Sequence, residues 1–288
     1  QAFTRLGAKT TVIEMGRALG KSDPAHAGVA IDALRKEGVT ILEGHKAVRV
    51  SADGKRIKVH TEHDGTSPVI EGSHLLVAVG RRTMLDGLNL EPGKVDHDRK
   101  GVVVGDNLRS RSNPRVWALG DAAGREQFTH VAGYHAGIVL RNILFRLPAR
   151  VDYSALPWVT YTDPELAHVG MTETQAREKY GDIRILRHPF AENDRAQAER
   201  DTDGLAKIVT TAKGVIVGAS IVGPHAGELL QSWILPIQKK MKIGAVAGLI
   251  IPYPTLGEVN KRAAGSYYTP KLFSEKTKKI VRFLLRLG

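Results

Sequence analysis

No cysteine occurs among the 288 residues. That absence excludes a structural disulfide, a thiolate zinc site and a cysteine nucleophile within this chain, and no metal site is assigned. Aromatic residues make up only 6%. The basic residues are not interleaved with them in a stripe, so no nucleic-acid partner is expected. Long apolar runs are missing too. The longest candidate, Ile243 to Tyr253, is interrupted by Gly244, Gly248 and Pro252 and falls short of the roughly 18 to 20 residues of a membrane span. No integral membrane contact is expected, no leader segment is visible, and a cytoplasmic location is the expectation. Acids are the minority charge, 30 against 42 Lys and Arg, which leaves a net charge of +12.

The chain is 42% hydrophobic and 25% charged, which suits a folded protein of about two domains. It begins with Gln1. Residues 1–8 read as the last turns of a helix capped by Gly7, and Lys9 to Met15 as a short strand with Glu14 at its tip. This is the order of the second half of a β-α-β unit. A dinucleotide fold carries its Gly-x-Gly-x-x-Gly turn before that helix and a ribose-binding acid after that strand. No such turn is present, so the expectation is an N-terminally truncated sequence in which Glu14 holds an adenosine ribose. A solvated acid at a strand end is the other reading. A carboxylate there favours NADH over NADPH, and Arg17 nearby keeps NADPH open. A helix over Pro24 to Glu37, a strand at Thr40 to Glu43 and a β-meander follow. Leu75 to Val79, apolar without alternation, reads as a strand buried on both faces.

The segment Ser112-Asn-Pro-Arg-Val-Trp-Ala-Leu-Gly-Asp-Ala-Ala-Gly124 reads as a strand running into a Gly-Asp turn. Gly120 leaves room for a ligand to approach the backbone, and the Asp121 carboxylate can accept from a hydroxyl placed there. An ordinary strand and turn is the alternative. Phe128-Thr-His-Val-Ala-Gly-Tyr-His-Ala-Gly137 then opens a helix reaching about Phe145, capped by Thr129 or a neighbour. Pro157 to Gly170, a capped helix start at Met171 to Ala176, a hairpin over Leu205 to Val222 turning at Lys213-Gly214, and a helix from Ala226 to about Lys242 describe an α+β domain.

These segments, in this order, resemble the FAD-dependent pyridine nucleotide-disulfide oxidoreductases, the family of dihydrolipoamide dehydrogenase, glutathione reductase and mercuric reductase. The resemblance reaches about Gly265. It implies an α/β fold with incomplete Rossmann-like NAD- and FAD-binding parts and an α+β dimerisation domain. The divisions are residues 1–86 (NAD(P)-binding remnant), 87–150 (C-terminal part of the FAD domain), 151–270 (dimerisation domain) and 271–288 (basic amphipathic tail). The resemblance also implies FAD and NAD(H) as cofactors. Asp121 and Gly120 would lie at the ribityl chain, Phe128, Thr129 and His130 at the flavin pyrimidine edge, and Gly80 and Arg81 beside the nucleotide. His135 is expected to pack. In disulfide-reducing members a His-Pro-Thr-x-x-Glu segment reaches the partner subunit's site, and the His shuttles a proton. Here Tyr253-Pro-Thr-Leu-Gly-Glu258 keeps Glu258 but has Tyr253 for the His. A phenol does not act as an imidazole does near neutral pH. Tyr253 and Glu258 are the candidate acceptor-site residues, with interface packing as the other reading of Tyr253.

The implied function is a homodimeric flavoprotein passing electrons from NAD(P)H through FAD to a disulfide, a small molecule or an ion. It is mercuric reductase-like rather than a typical dihydrolipoamide dehydrogenase. The absent tail cysteines put mercury itself in question. The fragment alone is expected to be inactive, and a non-catalytic dimerisation module is the alternative. Residues 271–288 hold six basic residues and one acid. They read as an amphipathic helix with Ile280, Phe283, Leu284 and Leu287 on one side, expected to pack on its own protein, with contact to a membrane surface or an anionic partner as the other reading.

Overall fold

Asp23 followed by Pro24 is a strong helix start, because the carboxylate can cap and proline needs no N–H at the first helical position. In the computed structural model, which describes residues 1–287, Asp23 accepts from Ala25 N at 3.1 Å and opens the helix. Along residues 1–74 the elements are α1 (Ala2–Arg5), β1 (Thr11–Ile13), α2 (Pro24–Lys36), β2 (Thr40–Leu42), β3 (Lys46–Asp53), β4 (Arg56–Glu62) and β5 (Val69–Gly72). Strands β1 and β2 pair in parallel, Thr11 opposite Thr40, with α2 between them in sequence. The strand, helix and strand expected at Lys9 to Met15, Pro24 to Glu37 and Thr40 to Glu43 are thus present in that order. The meander β3-β4-β5 is antiparallel. The chain forms two compact units, Leu75–Tyr153 and Gln1–His74 with Ser154–Gly288.

Within 75–153 the expected strand at Leu75 to Val79 does not form. Leu76 is 74% and Val79 91% exposed, and among the described residues no strand pairs with them. An apolar run becomes a doubly buried strand only where neighbours bond to both of its edges, and none does here. Gly101 to Gly105 and Arg115 to Leu119 likewise make isolated bridges, Gly101 to Ala123 and Arg109 to Trp117, rather than full strands. Their apolar side chains still build a core. Val102, Val104, Leu108, Ala118 and Ala123 pack with Ile138 and Val139 of α3 (Thr129–Leu144). Phe128 occupies the N-cap position of α3 and no side chain caps it, contrary to the expectation for Thr129.

From residue 154 onward run β6 (Pro157–Thr160), β7 (Glu165–Gly170), α4 (Glu173–Tyr180), β8 (Ile183–Pro189), α5 (Asp194–Glu199), β9 (Leu205–Thr211), β10 (Ile216–Gly223), α6 (Ala226–Gln238), α7 (Gly244–Ala247), α8 (Glu258–Gly265), α9 (Thr269–Leu272) and α10 (Glu275–Leu284). Thr172 and Gln175 form a reciprocal capping box on α4. The antiparallel sheet has the order β6-β7-β10-β9-β8. Every residue of β10 is buried, and α6 lays Leu230 and Trp233 on the sheet beside Ile208 and Ile221. The Trp233 indole N–H donates to Asn260 Oδ1 at 2.9 Å, so the polar end of this fully buried ring is satisfied.

Helix α2 is fastened to this sheet. Ala30 packs with Leu166 and Val222. Beside that contact, Lys207 Nζ lies 2.5 Å from Asp23 Oδ2 and 2.6 Å from Glu173 Oε2. The fully buried His26 directs Nδ1 to Asp23 Oδ1 at 3.0 Å and Nε2 to the Ser220 carbonyl at 3.1 Å. Lys207 thus bridges the carboxylates of Asp23 and Glu173, and His26 bonds to that of Asp23. Burial alone would raise the Asp23 carboxyl, but hydrogen bonds from His26 and Lys207 outweigh it and hold the group well below the usual carboxylate range. At the far end of α9, the expected packing of the tail is not seen. Ile280 is 49%, Phe283 61% and Leu284 56% exposed.

Candidate cofactor-binding site

The Gly-Asp turn is a single 3₁₀ turn, Gly120–Ala122, entered from extended backbone at Leu119. Gly120 has φ +59°, a conformation L side chains adopt rarely, and a Cβ added there would lie 3.0 Å from the Ala132 methyl of α3. Glycine lets the turn and the helix come this close. Gly120 N donates to His135 Nδ1 at 3.0 Å. The His135 Nε2–H is then left to donate to the Tyr153 hydroxyl at 2.6 Å. Burial pushes the His135 ring down and the Tyr153 phenol up, so both are neutral groups that lock the turn. His135 packs, as expected from the sequence.

On the open side, Asp121 is exposed, and its carboxylate makes no hydrogen bond among the described residues. Its backbone carbonyl accepts from Thr83 Oγ1 at 3.3 Å, and Gln127 Nε2 donates to the same Thr83 hydroxyl at 3.2 Å. Arg81 Nη2 donates to the Gln127 carbonyl. The segment after Gly80 is thereby tied to the stretch that leads into α3. Phe128 and His130 stack at 5.1 Å between ring centroids. Arg81, Asp121, Phe128, Thr129 and His130 therefore belong to one unit, and contacts through Thr83 and Gln127 bring Arg81 and Asp121 together. Thr83 and Gln127 were missed in the sequence; a lone Thr and Gln in loops carry no pattern that marks them. Gly80 has φ +132° and is exposed.

Glu14 stands at the tip of β1, half-buried, and its Oε1 accepts from Gly16 N at 2.7 Å. One carboxylate oxygen thus bonds within its own turn. Tyr253 is 69% exposed and its hydroxyl donates to Asp194 Oδ2 at 3.0 Å. This hydrogen bond raises the phenol further above its ordinary value. Glu258 opens α8 and lies 3.8 Å from Arg262. Asp194, 59 residues away in sequence, was missed. Among the described residues no group of His, Asp and Glu could hold a metal ion. No described helix is long and apolar enough to cross a membrane.

The family described as "Pyridine nucleotide-disulphide oxidoreductase" matches residues 1–136, and "Pyridine nucleotide-disulphide oxidoreductase, dimerisation domain" matches residues 156–264. The chain is 33% identical over 265 residues to a mercuric reductase of Bacillus cereus, covering 91% of this chain and 42% of that protein. It is 34% identical over 265 residues to a dihydrolipoyl dehydrogenase of Geobacillus stearothermophilus, covering 91% and 56%. The chain thus spans about half the length of these curated relatives. Among solved structures, the HOCl-induced flavoprotein disulfide reductase RclA of Escherichia coli superposes with a TM-score of 0.83 at 27% identity, over 91% of this chain and 60% of that one. LpdA of Mycobacterium tuberculosis, at 24% identity, shares the fold with a TM-score of 0.85, over 92% and 58%. With a Rossmann-like redox part and a dimerisation domain that both match, the chain belongs to the pyridine nucleotide-disulphide oxidoreductase family of flavoprotein oxidoreductases.

Proposed function

We propose that this chain carries the nucleotide-side remnant, the C-terminal FAD-binding segment and the dimerisation domain of a homodimer that passes electrons from NAD(P)H through FAD to an acceptor. The observation that carries the reading is the exposed, unpaired Asp121 carboxylate on the locked Gly120 turn. The residues present fit FAD. Asp121 offers an acceptor to a ribityl hydroxyl, and no side chain caps the start of α3 where Thr129 and His130 lie, whereas Gly120 is buried with the Ala132 methyl on the side a Cβ would take and serves the packing of the turn rather than the approach of a ligand. When bound, FAD supplies two-electron transfer between nicotinamide and acceptor. The N-terminal end of α3, with its partial positive charge, would face the pyrimidine edge. Arg81 steadies the backbone at Gln127 just before it, and Glu14 takes the adenosine ribose.

Tyr253 and Glu258 face the acceptor in this reading. The Tyr253 phenol, kept protonated by Asp194, serves as a hydrogen-bond or ion contact and not as a base near neutral pH. That favours a mercuric reductase-like acceptor site over that of a typical dihydrolipoamide dehydrogenase. The strong exposure of Tyr161, Leu249 and Ile250 in the dimerisation segment supports a homodimer. Taken alone, the 288 residues hold neither a Gly-x-Gly-x-x-Gly turn nor a cysteine. By itself the chain would then be a dimerising module that binds FAD weakly and is inactive. The test is an anaerobic NADH titration of the natural gene product, read by visible absorbance. A flavin band that bleaches with NADH or NADPH is expected, and a colourless natural product would overturn the proposal.

A further inference from the structure

The C-terminal helix is amphipathic, and its apolar face is not covered by the chain. From Ser274, whose Oγ accepts from Thr277 N at 3.3 Å, α10 runs over Glu275–Leu284. At 100° per residue, Ile280, Val281, Phe283 and Leu284 fall on one side, and Leu287 follows just after the helix. Lys278, Lys279 and Arg282 fall on the other. The apolar set is solvent-exposed, from 46% at Val281 to 69% at Leu287, and Phe273 just before the helix is 71% exposed. The Thr277 hydroxyl donates to the Lys271 carbonyl at 2.7 Å, which fixes the helix against the preceding turn.

Charge decides what this face suits. Residues 271–288 hold six Lys and Arg against one acid. A second copy of the chain brings no net acidic excess to meet it, because residues 1–150 hold 23 basic residues against 16 acids and residues 151–270 hold 13 against 13. An anionic bilayer surface meets both requirements at once. It takes apolar side chains at the headgroup boundary and attracts the lysines and arginines around them. Lys276 falls within the apolar side, and its long stem lets the ammonium reach back to the headgroups. We propose that α10 docks the protein peripherally on membranes rich in anionic lipid, lying in the plane of the interface.

The test is co-sedimentation of the full chain with vesicles of phosphatidylcholine alone or with about one third phosphatidylglycerol, at low salt and at about 0.5 M salt. Binding to the anionic vesicles only is expected, about tenfold weaker at high salt. F283E/L284E and, separately, K279E/R282E should each lower it at least tenfold, with circular dichroism of the remaining fold unchanged. Two variants are used so that a local loss of helix in one does not decide the result. No binding of the unaltered chain to anionic vesicles would overturn the proposal. So would binding untouched by F283E/L284E, which would mark a charge effect alone. Loss of dimer in F283E/L284E, with no vesicle binding by the unaltered chain, would assign the face to a second copy instead.

Discussion

Replacing Lys207 by Met removes the cation that joins α2 to the β-sheet. The lysine side chain is 7% and Asp23 8% exposed, and Nζ touches Asp23 Oδ2 and Glu173 Oε2 at 2.5 and 2.6 Å. Removing one member of a buried ion pair typically costs about 3 to 5 kcal/mol, because the other charge stays behind without compensation. Two facts place this case at the lower end. Asp23 keeps its bond to His26, and Glu173 keeps a bond to Arg177 at 2.7 Å. Methionine also fills most of the lysine stem's volume. The expected loss is about 3 kcal/mol, or a Tm lower by roughly 6 to 12 °C for a unit of this size. Urea unfolding followed by fluorescence of Trp158 and Trp233 reads it. The Asp23→Asn/Lys207→Met double variant should cost about 2 kcal/mol less than the sum of the two single variants, because each removes the same interaction. A loss below about 1 kcal/mol for Lys207→Met, or additive single effects, would refute the reasoning and mean that the cluster is hydrated rather than sealed.

The same cluster sets an acid limb. The carboxyls of Asp23 and Glu173 are held below their ordinary values. Their stabilisation is therefore complete at neutral pH and disappears as pH falls below about 4 and through the folded values, which acid unfolding of the native chain and a flatter curve for Lys207→Met would show. Gly101→Ala would drive a Cβ into Gly124 N and to 2.6 Å from the Ala122 carbonyl. A loss of about 3 kcal/mol in the Trp117-reported unfolding of residues 75–153 is expected, and the flanking Gly120–Ala122 turn should shift with it. Asp194→Asn should lower the ionisation midpoint of Tyr253, read by ultraviolet difference titration against Tyr253→Phe. An unchanged midpoint would show that the hydroxyl does not bond to Asp194 in solution.

Local chemistry was the legible part of this fold. The Asp23-Pro24 start, the Thr172 to Gln175 capping box, and the hairpin turning at Lys213-Gly214 are each written within a few residues, so the sequence states them directly. Leu75 to Val79 shows the limit of such reading. Its apolar run reports what a buried strand would want and says nothing of whether neighbouring strands stand beside it. Helix α6 ends at Gln238 rather than about Lys242 because the chain turns at Lys240 with φ +50°, a conformation lysine side chains do not advertise. Of the candidate site, the glycine turn at Gly120 and the helix start at Thr129 were legible as local structure. Its supports were not. Gly120 with His135, Tyr253 with Asp194, and Asp23 with Lys207 meet across 15, 59 and 184 residues. Each pairing depends on tertiary geometry that no local pattern encodes. The exposed apolar side of α10 has the same cause: amphipathicity was plain in the sequence, and only the fold shows that the chain leaves it open.

The Gly120-Asp121 turn as the flavin-holding element is the central claim, and the FAD dissociation constant of the natural gene product with and without Asp121→Ala tests it most directly. The Asp121 carboxylate is exposed and makes no hydrogen bond among the described residues, so the variant should keep the native melting temperature to within about 1 °C. Loss of a charge-assisted hydrogen bond should weaken FAD binding at least tenfold, about 1.4 kcal/mol or more. Equal FAD affinity in the two proteins would contradict the account and leave the turn a structural element only.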